Sequence, residues 1–323
     1  MLKVISTLGP KSYLETIINS LFSVSDTFRL NASHLTPMEL NKILISLDKL
    51  YKKKNKKKEV IVDLKGAKIR IGEFIKTDKL PDTVFIKKLK TSNDTSIIPL
   101  ENEEFFRAIK YNDKIYLNDA QVILSVLDIN NYEIKCKVIK NGELSSNKGI
   151  NIKNHPIKYQ KITEFDRSMI EIANNFSFTT FAFSFTFDGS EYNILKKYTD
   201  KKITAKIERP ESIDNIKKID EKFDAIWFCR GDLGAQAGIE NLGKLQYEFS
   251  KKVNSLKSDT FIAGQVLHSM TKFKIPTRTE ITALYQVEQE GYKGFVLSDE
   301  TAVGDNIESV IEFLELLNTS KTN

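Results

Sequence analysis

Cysteine is scarce in this chain. Its 323 residues hold only two, Cys136 and Cys229. They lie far apart, and Cys229 sits inside an apolar, strand-like run, so a disulfide-stapled scaffold is excluded and a reduced, cytoplasmic protein is expected. No apolar run approaches the roughly 20 residues that cross a bilayer, so no membrane partner is expected. The N-terminus, MLKVISTLGP, reads as a first strand rather than a signal peptide. No internal repeat is evident beyond an alternation of strand and helix patterns. The net charge of +6 owes much to one run, KKKNKKK at 52–58. It lacks the interleaved aromatics of a nucleic-acid surface, so it reads as a solvated helix end and no nucleic acid is expected as a partner. What is present, 41% hydrophobic and 28% charged residues, can bury a large core in one or two domains. The mildly basic balance suits phosphorylated substrates.

Eight short apolar runs, most of them followed by helical periodicity, read as strands: 3–9, 26–31, 59–64, 179–185, 202–208, 225–229, 259–265 and 294–300. Their unbroken apolar character suits parallel strands covered by helices. Thr36-Pro37-Met38-Glu39 offers an N-cap, a proline at the first helical position and a capping-box acid. Met38, Leu40, Ile43, Leu44, Leu47 and Leu50 then form an apolar stripe. Eight such units predict an α/β fold, a closed (β/α)8 TIM barrel with active residues at the C-terminal strand ends. From 72 to 160 the rhythm changes to short alternating segments with turns at 129–131 and 141–142. That stretch is expected to be an inserted all-β domain, a lid over the mouth of a barrel built from 1–71 and 161–323.

The chemistry concentrates at strand ends. In TAKIERPES, Lys206 and Glu208 point to one side because strand side chains repeat every second residue. In FCRGDLG, Arg230 and Asp232 follow the next strand. Two acids and two cations on neighbouring strands can hold a divalent metal against a phosphate, although a structural salt-bridge layer would use the same residue types. Gly231 and Gly234 leave backbone amides free to approach an anion. FRLNASH places Arg29, Asn31, Ser33 and His34 at another strand end, and VDLKGAKIRIG adds Asp63, Lys65, Lys68 and Arg70. Either cluster alone would be a capped loop in most proteins.

Taken in order, TLGPKS, FRLNASH, DLKGAKIRIG, NKGIN, KIE, RGDLG, GQVLHSM, PTRTE and SDETAVG resemble the pyruvate kinase family over nearly the whole chain. The resemblance implies a barrel with a β-rich lid after the third strand, and a cytoplasmic, glycolytic phosphotransferase. It implies phosphoenolpyruvate or a related small phosphorylated acid as one partner and ADP or ATP as the other. Glu208 and Asp232 would hold Mg2+ or Mn2+. Lys206 would stabilise the phosphoryl group in flight, with Arg29 and Arg70 on its phosphate side. Gly231, Asp232 and Gly264 would meet the substrate. Asn31, His34, Lys148 and Asn151 would lie near the nucleotide, and Asn31, Ser33 and Asp63 match the monovalent-cation site. PTRTE falls where the family makes a barrel–barrel contact, so a homodimer is a further expectation. Family members usually carry another domain after the eighth helix. This chain stops at Asn323, so that domain, and sugar-phosphate activation through it, are expected to be missing.

Two departures matter. Lys68 replaces a family glutamate, and lysine there goes with independence from potassium, so K+ is not expected to be required. Gly264 replaces a threonine whose hydroxyl meets the substrate carboxylate and helps deliver the proton to the enolate. Loss of a positioned proton relay costs about 10²–10⁴ in rate. Asp299 in SDETAVG and the absence of a basic residue in FSFTFDG are lesser changes. Three readings therefore stand: a minimal pyruvate kinase; a paralogue with the same metal–phosphate site acting on another phosphoryl acceptor or enolate-forming substrate in biosynthesis; and a non-catalytic regulatory or binding protein. The retained Lys206, Glu208, Asp232, Arg29 and Arg70 weigh against the third.

Overall fold

A computed structural model describes residues 2–66, 68–118, 120–152 and 162–319. Each of the eight apolar runs becomes a strand, with most of the ends shortened: Lys3–Leu8, Thr27–Asn31, Glu59–Leu64, Thr179–Phe183, Ile203–Ile207, Ala225–Cys229, Asp259–Ala263 and Gly294–Leu297. Each pairs in parallel with its neighbours in this order, and the last pairs with the first, closing the barrel. Closure explains the unbroken apolar character, since one face of every strand packs inside the ring and the other against helices. Ile5, Ile61, Ala182, Trp227, Phe261 and Val296 fill the interior, whereas Phe28, Leu30, Val60, Val62, Ile203 and Ile207 occupy the other faces of their strands and are also buried.

The helix Pro37–Lys54 starts on the expected capping box, with the Thr36 hydroxyl accepting from the Glu39 N–H and the Glu39 carboxylate accepting from the Thr36 N–H. Its last turn carries Lys52, Lys53 and Lys54, and it ends on Asn55 in the left-handed region. The lysine run is therefore a helix end, with cations favourably placed against the C-terminal dipole.

Contacts divide the chain into two units. One comprises Met1–Gly66, Gln160–Leu233 and Asn241–Asn323 and holds the barrel; the other comprises Ala67–Tyr159 and Gly234–Glu240. The second unit has its own six-stranded sheet, in the order Ile150–Ile152, Lys114–Leu117, Val122–Asn130, Glu133–Lys140, Thr83–Lys87 and Ile97–Pro99. Its pairs are antiparallel except the last, which is parallel. Val84, Ile86, Leu124, Val126 and Ile134 alternate with more exposed neighbours and build a separate core. A short helix, Glu103–Ala108, also lies here, its N-terminus capped by the Asn102 side chain.

Candidate active site

The interior faces of several barrel strands end in a polar residue at the C-terminal mouth, whereas Ala225–Cys229 and Asp259–Ala263 end inward on Cys229 and Ala263. Inward positions recur every second residue, so Ile61 leads to Asp63, Ala182 to Ser184, and Thr204 to Lys206 and Glu208. Lys206 sits at the centre, 7% exposed. Its ammonium lies 3.1 Å from Asp63 Oδ1 and 2.9 Å from Glu208 Oε1, and it donates to Ser184 Oγ at 2.8 Å. Burial opposes its charge, but the carboxylates of Asp63 and Glu208 outweigh that and raise its pKa above the ordinary lysine value. It is a fixed cation.

Asp63 uses its second oxygen on Arg29, accepting from Nε at 2.8 Å and from Nη2 at 2.6 Å. Arg29 Nη1 donates in turn to Thr7 Oγ1 at 2.9 Å, and that hydroxyl donates to the Leu297 carbonyl. Both cations are thereby held on one carboxylate. Glu208 is 1% exposed, and its Oε2 accepts the Phe185 N–H at 2.7 Å. Phe185 adopts φ +60° to present that donor, a costly conformation for a bulky residue. Burial pushes the Glu208 carboxyl up to about 7; Lys206 opposes this, while the Asp232 and Asp63 charges add to it. Asp232 lies in the first turn of the helix Arg230–Ala237.

Counted as ionised, Asp63, Glu208 and Asp232 exceed Arg29 and Lys206 by one negative charge. A divalent cation would reverse that sign and make the mouth attractive to an anion. Among the described residues no group of three His, Cys, Asp or Glu side chains could hold a metal alone. Two carboxylates are nevertheless enough for Mg2+, which keeps waters and takes other ligands from substrate phosphates. The buried Glu208, facing repulsion from Asp232, fits such an ion.

The other sequence-derived residues fall in three places. Asn31 neighbours Asp63 across the strand pair, and its Oδ1 accepts the Ser33 N–H, capping the turn Ala32–His34. Ser33 is half-buried and His34 exposed. Lys68, Arg70, Lys148 and Asn151 belong to the second unit. There Arg70 pairs with Gly149 and donates to the Asn147 carbonyl, while Asn151 pairs with Tyr116.

Arg230 departs from the sequence expectation of a second cation beside the acids. Its guanidinium donates to the Gly264 carbonyl at 2.8 and 2.5 Å and to the Gln265 carbonyl at 2.9 Å. It clamps a loop, and the second cation of the cluster is Arg29. Gly264 itself has φ +91°, and a Cβ there would meet the Gly231 nitrogen at 3.2 Å. Gly231 is open on its Cα side, with nothing within 4 Å of a would-be Cβ.

Sequence reasoning missed Ser184, Thr7 and the Phe185 N–H. Strand alternation from Ala182 could have found Ser184; a backbone donor leaves no such signal. It also missed Arg209. Its guanidinium carbon stands 5.3 Å from the Phe185 ring centre and 5.8 Å from that of Phe187, so a cation from the next strand covers the segment FSFTFDG that lacks one. PTRTE and SDETAVG brace this end of the barrel. Glu280 accepts from the Ser269 N–H and hydroxyl, Thr301 Oγ1 donates to the Thr7 carbonyl, and Gly9 packs where a Cβ would lie 2.6 Å from Ala302 Cβ.

The sequence profile described as "Pyruvate kinase, barrel domain" matches residues 1–310. Pyruvate kinase of Thermococcus litoralis is 33% identical over 99% of this chain and 69% of its own length. Pyruvate kinase of Thermotoga maritima is 27% identical over 97% and 69%. The crystal structure of pyruvate kinase from Pyrobaculum aerophilum superposes with a TM-score of 0.81 at 25% identity, covering 97% of this chain and 72% of that one. A pyruvate kinase structure from Cryptosporidium parvum shares the fold, with a TM-score of 0.85 at 24% identity.

Proposed function

The chain belongs to the pyruvate kinase family, and from that premise we propose that it is a divalent-metal-dependent phosphotransferase moving a phosphoryl group between phosphoenolpyruvate and ADP. The observation that carries this reading is the network in which Asp63 holds Arg29 and Lys206 at the barrel mouth beside Glu208. Phosphoryl transfer needs little covalent chemistry from a protein; positioning and charge stabilisation supply most of the rate. In this proposal Lys206 faces the transferring group and stays protonated throughout, because its two carboxylate partners hold the proton. Arg29, fixed by Asp63 and Thr7, binds a phosphate oxygen. Glu208 and Asp232 hold Mg2+ or Mn2+, which when bound neutralises charge on the phosphoryl oxygens. Arg70, Lys148 and Asn151, from an insertion proposed to act as a lid, together with Asn31 and His34, serve the nucleotide. Lys68 takes the place of a potassium ion at Asn31, Ser33 and Asp63.

A second reading is favoured by Gly264. The family's threonine hydroxyl is missing where the enolate would take its proton, so phosphoryl transfer can outlast efficient pyruvate formation. A different phosphoryl acceptor or enolate-forming substrate would then use the same metal and phosphate groups. Purified protein with Mg2+, phosphoenolpyruvate and ADP separates the two: sustained pyruvate and ATP formation supports the first, and metal-dependent phosphoenolpyruvate binding without pyruvate supports the second. Absence of both metal and phosphoenolpyruvate binding would sink both.

A further inference from the structure

Arg209 follows Glu208 directly, and its backbone is still extended, with φ −143° and ψ 151°. It therefore faces away from the interior side that Lys206 and Glu208 share. It is 7% exposed, and its Nε and Nη1 are buried with no hydrogen-bond partner among the described residues. Both atoms are sealed from solvent, so no ligand meets them. A cation at this depth persists only where its surroundings compensate it. The guanidinium carbon lies 5.3 Å from the Phe185 ring centre and 5.8 Å from that of Phe187, within cation–π reach. The carboxylates of Glu211, Glu191 and Glu208 supply the opposite charge.

Both rings belong to the turn that holds Glu208. Phe185 donates its N–H to Glu208 Oε2 at 2.7 Å from a backbone at φ +60°. A bulky residue stays in that region only where its surroundings over-determine it. Downstream, the turn is tied by hydrogen bonds. Ser212 Oγ donates to the Thr186 carbonyl at 2.5 Å. Glu191, 1% exposed, accepts the Phe187 and Gly189 N–H groups at 2.8 and 3.1 Å. At Phe185 itself the charged contact is Arg209, packed on the ring whose backbone carries the strain.

We propose that Arg209 is a positioning residue for Glu208: packed against Phe185 and Phe187, it keeps the Phe185 N–H aimed at Glu208 Oε2 and so holds the carboxylate in one orientation, with Oε1 toward Lys206. Arg209 acts through Phe185 and is not itself a catalytic group. The consequence for metal binding rests on the proposed function, in which Glu208 is a ligand of Mg2+ or Mn2+. Removing a group that orients a metal ligand from behind typically costs about 10–100-fold in metal affinity.

Hydrogen exchange of protein labelled with ¹⁵N-phenylalanine reads the Phe185 N–H directly, and the resonance missing from Phe185→Leu identifies it. Arg209→Met keeps much of the side chain's length and removes the charge. It should speed Phe185 exchange by about tenfold or more, the scale of a desolvated cation–π contact. The N–H groups of Phe181 and Phe228, which lie in barrel strands, should change far less. An equal acceleration of all three would mean a merely structural role and would overturn the proposal. Mn2+ binding, followed by electron paramagnetic resonance, should weaken by about 10–100-fold in Arg209→Met. Phe185→Leu keeps the N–H but loses the ring, so it should weaken Mn2+ binding too, and it serves if Arg209→Met does not fold. The double variant should lose little more than the larger single loss, because both changes break one contact. Additive losses, or Mn2+ affinity unchanged in both single variants, would overturn the proposal. If the unaltered protein binds no Mn2+, the metal reading fails instead, and the Phe185 exchange rate still decides the role of Arg209.

Discussion

Asp63 stands between Lys206 and Arg29, with Oδ1 3.1 Å from the lysine ammonium and Oδ2 2.6 Å from the arginine Nη2. One carboxylate thus fixes both cations that face the proposed phosphate. Asp63→Asn keeps the shape and removes the charge. Taking away one member of a buried ion pair costs about 3–5 kcal/mol, because the partners stay buried and uncompensated. Urea unfolding should show a loss of that order, with phosphoenolpyruvate-dependent turnover lost at temperatures where the variant is still folded. Unchanged stability would mean that Asp63 does not carry the network.

Lys206→Met addresses the charge beside the transferring group. The methionine fills the same interior space, so near-native circular dichroism is expected. The rate of phosphoryl transfer should fall by about 10³-fold or more, the scale at which a charge-stabilising group contributes. A loss in phosphoenolpyruvate affinity alone, at unchanged turnover, would reassign Lys206 to ground-state binding.

Much of this site was legible because it obeys the simplest period in protein structure. Lys206 and Glu208 share a face by strand alternation, and each strand falls within its apolar run. The fate of Arg230 was not legible. A cation after a strand can turn to the mouth or to the adjoining loop, and the carbonyls of Gly264 and Gln265 that capture it exist only in the folded backbone. The same holds for the Phe185 N–H on Glu208. The helix Glu103–Ala108 was hidden inside a strand-rich pattern because it is a single short stretch with little periodicity to read.

Gly264 does not accept threonine as its sequence context suggests. Its φ of +91° is strained for any β-branched residue, and the new Cβ would press on the Gly231 nitrogen. Gly264→Thr should therefore lose about 1–3 kcal/mol of stability and fail to raise pyruvate formation. A melting temperature at the wild-type value together with a large gain in pyruvate would show that this loop readily adopts another conformation.

Asp166 gives a pH signature. It accepts the Lys65 and Gly66 N–H groups at 3.0 and 3.2 Å, and burial pushes its carboxyl up to about 6 from an ordinary 3.8. Between those two values the folded chain holds a proton that the unfolded chain has released. Stability from this group is therefore highest below the window and falls as pH rises through it, by at most about 1.4 kcal/mol per pH unit. Chemical denaturation across that range should show the Asp166→Asn variant lacking this downward component. An identical pH profile in both proteins would contradict the assignment.

Lys68 is expected to remove the need for a monovalent cation. Turnover should be the same in potassium and in tetramethylammonium, and Lys68→Glu should make it rise with potassium. Strict potassium dependence of the unaltered protein would overturn the substitution argument.

The central claim is that the Lys206–Asp63–Glu208 cluster transfers a phosphoryl group of phosphoenolpyruvate. Its most direct test is ³¹P NMR of the purified protein with phosphoenolpyruvate, ADP and Mg2+. The account predicts loss of the phosphoenolpyruvate signal with matching growth of ATP, dependent on the divalent ion and abolished in Lys206→Met. Spectra in which phosphoenolpyruvate persists, with no ATP formed and no metal-dependent broadening of its resonance, would contradict it.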